Sequence, residues 1–217
     1  MEKVCILIDA GNFYHLVLKK LKIKEFDYEA FAQFIANGRQ IIPKGKRFYT
    51  GTVREIIGDT RTIAAMANQN KLFSKLQAAG DWEIKTSKLR NRTERIMVDD
   101  RVEDYRKLHK AGFQEIVYQR TREKGIDVKL ATDLIVGAVD NQYDTAIVVS
   151  SDTDLVPAID WVRHRRQKKV EYIGFSVPVE NHPEASTKPT KSLIARTDVQ
   201  RVLIETDIRK FETPTFI

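Results

Sequence analysis

The sequence has one cysteine, no Cys/His cluster and no apolar stretch approaching the length that spans a bilayer. A lone thiol cannot close an intramolecular disulfide. Cys5 sits inside the apolar run Val4 to Ile8, where it reads as a small buried hydrophobe. Without a Cys/His cluster there is no ligand set for a structural zinc site. Asp9 cuts the first apolar run after five residues, too early for a secretory signal. These absences lead to the expectation of a soluble cytoplasmic protein without membrane attachment. What remains is 217 residues at 42% hydrophobic content, enough to bury the core of one domain. Lysine and arginine total 37 against 30 acids, a formal +7 that suggests a polyanionic partner. Proteins of several classes share such an excess, so the distribution of charge matters more than its sum.

The most informative stretch is Ala146 to Pro157, Ala-Ile-Val-Val-Ser-Ser-Asp-Thr-Asp-Leu-Val-Pro. A β-branched apolar run stops at Ser150, Ser151, Asp152 and Asp154, then resumes with the helical spacing Leu155, Val156, Ile159, Val162. This predicts a buried strand, a polar turn and a helix. Ser151 or Asp152 could simply cap that helix, but a cap needs one such residue and the turn holds four. Lys3 to Asp9 is a second candidate for a central strand, ending in Asp9-Ala10-Gly11-Asn12. There Gly11 permits a sharp turn, and Asn12 can cap a helix outlined by Phe13, Leu16, Val17 and Leu21. Ligand sites in open α/β sheets lie at the carboxyl ends of strands. Asp9 and Asp152 would share one sheet edge if their strands are neighbours.

A third element opens with Lys124-Gly125-Ile126-Asp127. In a helix from Asp127 to Val139, steps of about 100° bring Leu130, Ala131, Leu134 and Ala138 within about 60° of Asp127. An acid in the first turn of an apolar face is either a structural group stabilised by the helix dipole or a ligand aimed at a cation. Two further carboxylates at strand ends favour the cation. Asp133 lies about 120° around the same helix, where it is at most a supporting group.

Elsewhere, residues 27 to 37 read as an amphipathic helix capped by Asp27, 38 to 45 as loop, 47 to 53 as a strand and 60 to 79 as a helix ending at Gly80. Trp82 to Leu89 alternates as a half-exposed strand. The charge-dense stretch from Arg90 to Lys124 contains a helix from Val102 to Lys110 and a strand from Glu115 to Gln119. Basic clusters flank it, Arg90, Arg92 and Arg95 on one side and Arg120, Arg122 and Lys124 on the other. A solvated surface is the default for such runs, and an excursion beside the active site is the functional reading. The run from Arg163 to Lys169 suits a helix C-terminus and offers further phosphate contacts. Lys191 to Ala195 predicts a short helix and Val199 to Ile204 a strand.

Strands alternating with helices indicate an α/β fold with a mainly parallel sheet and helices on both faces. Asp9, Asp127, Asp152 and Asp154 are then candidates for one acidic cluster. Clustered carboxylates repel one another, and a bound cation relieves them. Oxygen ligands select hard ions such as Mg²⁺ or Mn²⁺, which suit phosphodiester hydrolysis.

The segments Ile6-Leu7-Ile8-Asp9-Ala10-Gly11-Asn12, Lys124-Gly125-Ile126-Asp127 with Leu130 and Asp133, and Val149-Ser150-Ser151-Asp152-Thr153-Asp154-Leu155 with Pro157 resemble the three signatures of the NYN domain family. The resemblance is greatest to its LabA-like bacterial branch, within the PIN-like nuclease superfamily. It spans about residues 1–205, with the charged excursion at about 90–124 matching poorly and residues 206–217 left as a C-terminal tail. The resemblance implies a Rossmann-like fold, an Mg²⁺ or Mn²⁺ site and ribonuclease activity. It makes Asp9, Asp127, Asp152 and Asp154 the metal-binding and catalytic carboxylates. Asn12 positions Asp9 or a metal-bound water, Ser150 and Ser151 are auxiliary, and Asp133 matches a recurring acidic position without an assigned role. Ser151 stands where a glycine is common, and Leu155 where a phenylalanine is common. The expected partner is RNA, with DNA left open, and a homo-oligomer is compatible with the chain. The alternatives are a catalytically silent RNA-binding or regulatory module, or a Toprim-like or phosphatase-like site. Toprim would want a glutamate at the first strand's end and a phosphatase Asp-x-Asp there, and Asp9-Ala10-Gly11 supplies neither.

Overall fold

The computed structural model describes residues 1–53, 60–123, 125–180 and 182–214, with the side chains of 89–91 and 120–123 outside the description. Among the described residues seven strands, β1 (Lys3–Asp9), β2 (Gln40–Thr52), β3 (Trp82–Met97), β4 (Glu115–Glu123), β5 (Thr145–Val149), β6 (Lys169–Ser176) and β7 (Val199–Ile204), form one sheet in the order β4-β3-β2-β1-β5-β6-β7. All neighbours pair in parallel except β3 and β4, which are antiparallel. The helices are α1 (Ala10–Phe13), α2 (Tyr28–Ala36), α3 (Thr60–Ala78), α4 (Tyr105–Lys110), α5 (Ile126–Val139), α6 (Val156–Arg166), α7 (Lys191–Arg196) and α8 (Glu205–Arg209).

The central strands are apolar at every position because both of their faces are covered. Val4, Ile6 and Ile8 point to a core built with α1, α2 and α8, while Cys5 and Leu7 point to a second core built with α5, α6 and α7. Val4 to Ile8 and Ala146 to Val149 are all fully buried, and each large side chain among them contributes on the order of 2 kcal/mol. Burial pushes the Cys5 thiol up to about 12, the inert behaviour expected of an apolar cysteine. Phe13 stacks on Phe31 with centroids 5.4 Å apart and meets Phe26 edge-on at 5.3 Å, which anchors α1 under the first core.

Several local expectations change. Residues 38 to 45 are not all loop: β2 begins at Gln40, and its register against β1 shifts between Val4 and Ile6, so residues around Lys44 bulge out. Gly45 makes this possible, because a Cβ there would lie 2.6 Å from the Ile42 carbonyl oxygen. The strand at Trp82 continues past Leu89 to Met97 in partnership with β4. The α4 helix starts at Tyr105 rather than Val102. After Thr206 the chain still packs: Ile208 and Phe211 lie in the first core, and Phe26 bridges Glu212. In the basic run at the end of α6, Arg163, Arg166 and Lys168 are engaged in structural contacts. Arg163 grips Asp198 at 2.7 Å, and Arg166 donates to the Ala138 and Val139 carbonyls at the end of α5.

Candidate active site

Parallel pairing of β1 with β5 sets Ile8 beside Val149, so Asp9 and Ser150 emerge side by side at the carboxyl edge. Asp9 is 7% exposed. Its Oδ1 accepts from the Asn12 backbone N–H at 3.0 Å, and its Oδ2 from the Ser150 hydroxyl at 3.0 Å. Asp9 itself is therefore the cap of α1, and Asn12 is not. Gly11 lies within α1 and takes no left-handed turn. With the cap supplied by Asp9, the Asn12 side chain reaches the second turn instead. Its Oδ1 accepts from the Ser151 backbone N–H at 2.9 Å and ties the two turns together.

The β5 turn is held from within. The Asp152 N–H donates to Ser150 Oγ at 3.2 Å, and Asp152 Oδ1 accepts from the Asp154 N–H at 2.9 Å, capping the short 3-10 turn that leads into α6. From the far side the Thr190 hydroxyl, just ahead of α7, donates to the Ser151 carbonyl at 3.1 Å. Motif reasoning missed Thr190, whose place depends wholly on tertiary packing. The Ser151 hydroxyl is buried and has no hydrogen-bond partner among the described residues.

Burial pushes the Asp9 carboxyl up to about 6, against the two hydrogen bonds that favour its charge, and the negative charges of Asp127 and Asp152 raise it further. Asp127, in the first turn of α5 behind the left-handed cap Gly125, is likewise raised by burial and by Asp152 and Asp154. Asp152 thus acts on both Asp9 and Asp127, and Asp154 on Asp127. Asp133 stands apart: its Oδ2 accepts from the Tyr49 hydroxyl at 2.8 Å and pairs with Lys85 at 3.3 Å, on the wall of a cavity of about 600 Å³ shared with Arg47 and Glu83. Among the predicted nucleic-acid contacts, Arg92 and Arg95 are exposed on β3. The side chains of Arg90, Arg120 and Arg122 lie outside the described residues, as does Lys124 altogether.

Among the described residues, no three His, Cys, Asp or Glu side chains stand at the spacing of a preformed metal cage. In kind, however, the donors fit a hard divalent cation. They are oxygens only, burial and then the neighbouring negative charges raise Asp9 and Asp127, and a cation would offset both. The orphaned Ser151 hydroxyl adds one more oxygen in the same turn.

A six-stranded parallel sheet flanked by helices, with acidic residues at its carboxyl edge, defines a PIN/NYN-like α/β protein. The sequence profile described as NYN domain matches residues 3–198, and the chain belongs to that family, within the PIN-like nuclease superfamily. Among solved structures, a protein of unknown function, VPA0982 from Vibrio parahaemolyticus RIMD 2210633, is similar at 20% identity and a TM-score of 0.54, covering 95% of this chain and 96% of its own. A chitinase from Chromobacterium violaceum ATCC 12472 aligns at 10% identity with a TM-score of 0.29, covering 93% of this chain and 55% of its own, too low to bear on the fold. No curated protein matches the chain. NYN domains act on nucleic acids, and nucleases of this type typically use divalent metals. No described helix is long and apolar enough to cross a membrane.

Proposed function

We propose that the chain is a metal-dependent ribonuclease that hydrolyses RNA phosphodiester bonds at Asp9, Asp127, Asp152 and Asp154. The observation that carries this reading is a buried Asp9 at the end of β1, tied through Ser150 and Asn12 to the β5 turn that bears Asp152 and Asp154. These four carboxylates would hold Mg²⁺ or Mn²⁺. Such an ion orients a phosphate, activates water and stabilises the leaving oxygen.

The chain's own contribution is positioning. Ser150 and the Asn12 N–H occupy one lone pair on each Asp9 oxygen, leaving further acceptor capacity aimed by a rigid strand end. Asn12 and Thr190 grip the Ser151 peptide from opposite sides and hold the turn that bears Asp152 and Asp154. The exposed cations Arg92 and Arg95 supply polyanion attraction, with Arg90, Arg120, Arg122 and Lys124 as further contributors in sequence.

The assay compares RNA and DNA cleavage with and without Mn²⁺. Wild type is expected to cleave RNA only with metal, and Asp9→Asn and Asp152→Asn to lose cleavage while remaining folded. Unchanged cleavage in both folded variants would sink the reading. The absence of a preformed cage among the described residues favours one alternative, an RNA-binding module without turnover. It predicts RNA binding and no metal-dependent product across a broad substrate panel.

A further inference from the structure

The strand β3 has two halves with different partners. Trp82 to Lys88 pair with β2 in the sheet, and among the described residues Leu89 to Met97 pair only with β4. Asp9 lies in the row that crosses β2 at Tyr49 and β3 at Lys85. The second half of β3 therefore runs on beyond the carboxyl edge, for about 30 Å at the usual rise per residue. The return strand β4 leads through Gly125 into the helix that bears Asp127. The result is a two-stranded arm rooted beside the acidic cluster.

Such a ribbon is marginal by itself, and this one has little to support it. The helix at its tip, α4, buries none of its residues. Ile96, Met97, Phe113, Ile116 and Val117 are 38 to 57% exposed at one end of the arm, where the register puts Ile96 and Ile116 on one face and Met97 and Val117 on the other. Nearer the root, the register sets Arg90 opposite Arg122 and Arg92 opposite Arg120. Arg92 and Arg95 are exposed on this stretch of β3, and their positive charge attracts a polyanion lying along the ribbon. Arg95 meets Glu115 at 3.3 Å across the ribbon, an exposed pair weak enough for a phosphate to displace.

We propose that this arm is a clamp for single-stranded RNA, with Arg92 and Arg95 on phosphates and its apolar tip on unstacked bases. The polyanion's identity as RNA rests on the nuclease reading. A second copy of the chain is disfavoured as the occupant, because two arginine-rich arms repel. The tip decides for single strands: a duplex keeps its bases stacked and offers exposed Phe113 and Met97 nothing to cover them, whereas a free strand presents a π-face at every nucleotide.

The test is binding, measured by fluorescence anisotropy on the full chain in EDTA, with a labelled oligouridylate and an RNA hairpin duplex of equal length. The oligouridylate is expected to bind roughly tenfold tighter than the duplex, as one base stacked at the tip allows. Arg92→Gln with Arg95→Gln should flatten the plot of log affinity against log salt by about 1.4, or about 0.7 for each phosphate no longer neutralised. Phe113→Ser should weaken oligouridylate binding by roughly tenfold at an unchanged salt slope. All three sites are exposed and outside the domain core, so the fold of the core is not at stake, and unchanged far-ultraviolet circular dichroism checks that the arm keeps its strands. An unaltered slope, equal affinity for the duplex, or a change of molecular mass by light scattering in place of a change in RNA binding would each overturn the proposal. If these binding results hold and no substrate is cut, the nuclease reading fails and the clamp stands.

Discussion

Asp9→Asn is expected to stabilise the metal-free protein near pH 8 and to lose that advantage in acid. In the folded wild type the Asp9 carboxyl lies at about 6 against an ordinary 3.8. Between those values the folded state keeps a proton that the unfolded chain has released. Wild-type stability therefore falls as pH rises from about 4 through about 6, and the loss is complete above that window. At about 1.4 kcal/mol per unit, the charge on Asp9 costs about 3 kcal/mol at pH 8. Asparagine carries no charge at any pH and escapes this cost. Part of the gain is offset, because its NH₂ now faces one of the two donors that the carboxylate accepted, the Asn12 N–H or the Ser150 hydroxyl. Losing one hydrogen bond takes about 1 kcal/mol. The variant should thus be about 2 kcal/mol more stable than wild type at pH 8 and about 1 kcal/mol less stable near pH 3.5. Urea unfolding in EDTA at both pH values measures the difference. Saturating Mg²⁺ at pH 8 should then raise the wild-type midpoint and move that of the variant much less. A variant destabilised by the same margin at both pH values would refute the reasoning, since it would mean that the Asp9 charge carries no penalty in the fold.

Asn12→Ala leaves the Ser151 N–H without its acceptor and should cost about 1–3 kcal/mol in urea unfolding. Ser151→Ala removes a buried hydroxyl that has no partner and is expected to leave stability unchanged or raise it by about 1 kcal/mol, read as a thermal midpoint that does not fall. Gly137→Ala would set a Cβ 2.6 Å from the ring of Tyr143, which is buried and held by its hydroxyl on the Leu134 carbonyl, so a loss of about 1–3 kcal/mol is expected by chemical denaturation. Asp133→Asn breaks the pair with Lys85 and is expected to keep metal-dependent cleavage, in contrast to Asp152→Asn, when the two are assayed side by side.

Much of the fold is legible in the residues themselves. The continuous apolar runs at Val4 and Ala146 mark strands covered on both faces, and the polar breaks at Asp9 and Ser150 mark where each strand ends. Helix α2 follows its Asp27 cap, whose Oδ1 accepts from the Ala30 N–H, and α3 stops at left-handed Gly80. These features are local, because capping, turn geometry and burial on both faces depend on a few neighbouring residues. Where local preference was weak, the reading failed. The bulge at Lys44 is a matter of register against β1. Arg90 to Met97 carries no apolar alternation, and its strand exists because β4 pairs with it. Asn12 looks like a cap from its position, yet the helix already begins at Ala10 with Asp9 as its cap, and the Asn12 side chain turns to Ser151.

The same division holds for the candidate site. By itself the sequence determined which acids could act, since an aspartate that ends a buried strand or opens an apolar helix can be recognised from its neighbours alone. Only the tertiary structure decided which of them share a field. Adjacency of β1 and β5 couples Asp9 to Asp152, and the path of α5 brings Asp127 to the same edge while turning Asp133 toward Tyr49 and Lys85. The reason is physical: proximity between residues more than a hundred positions apart follows from strand order and helix packing, which no window of sequence contains.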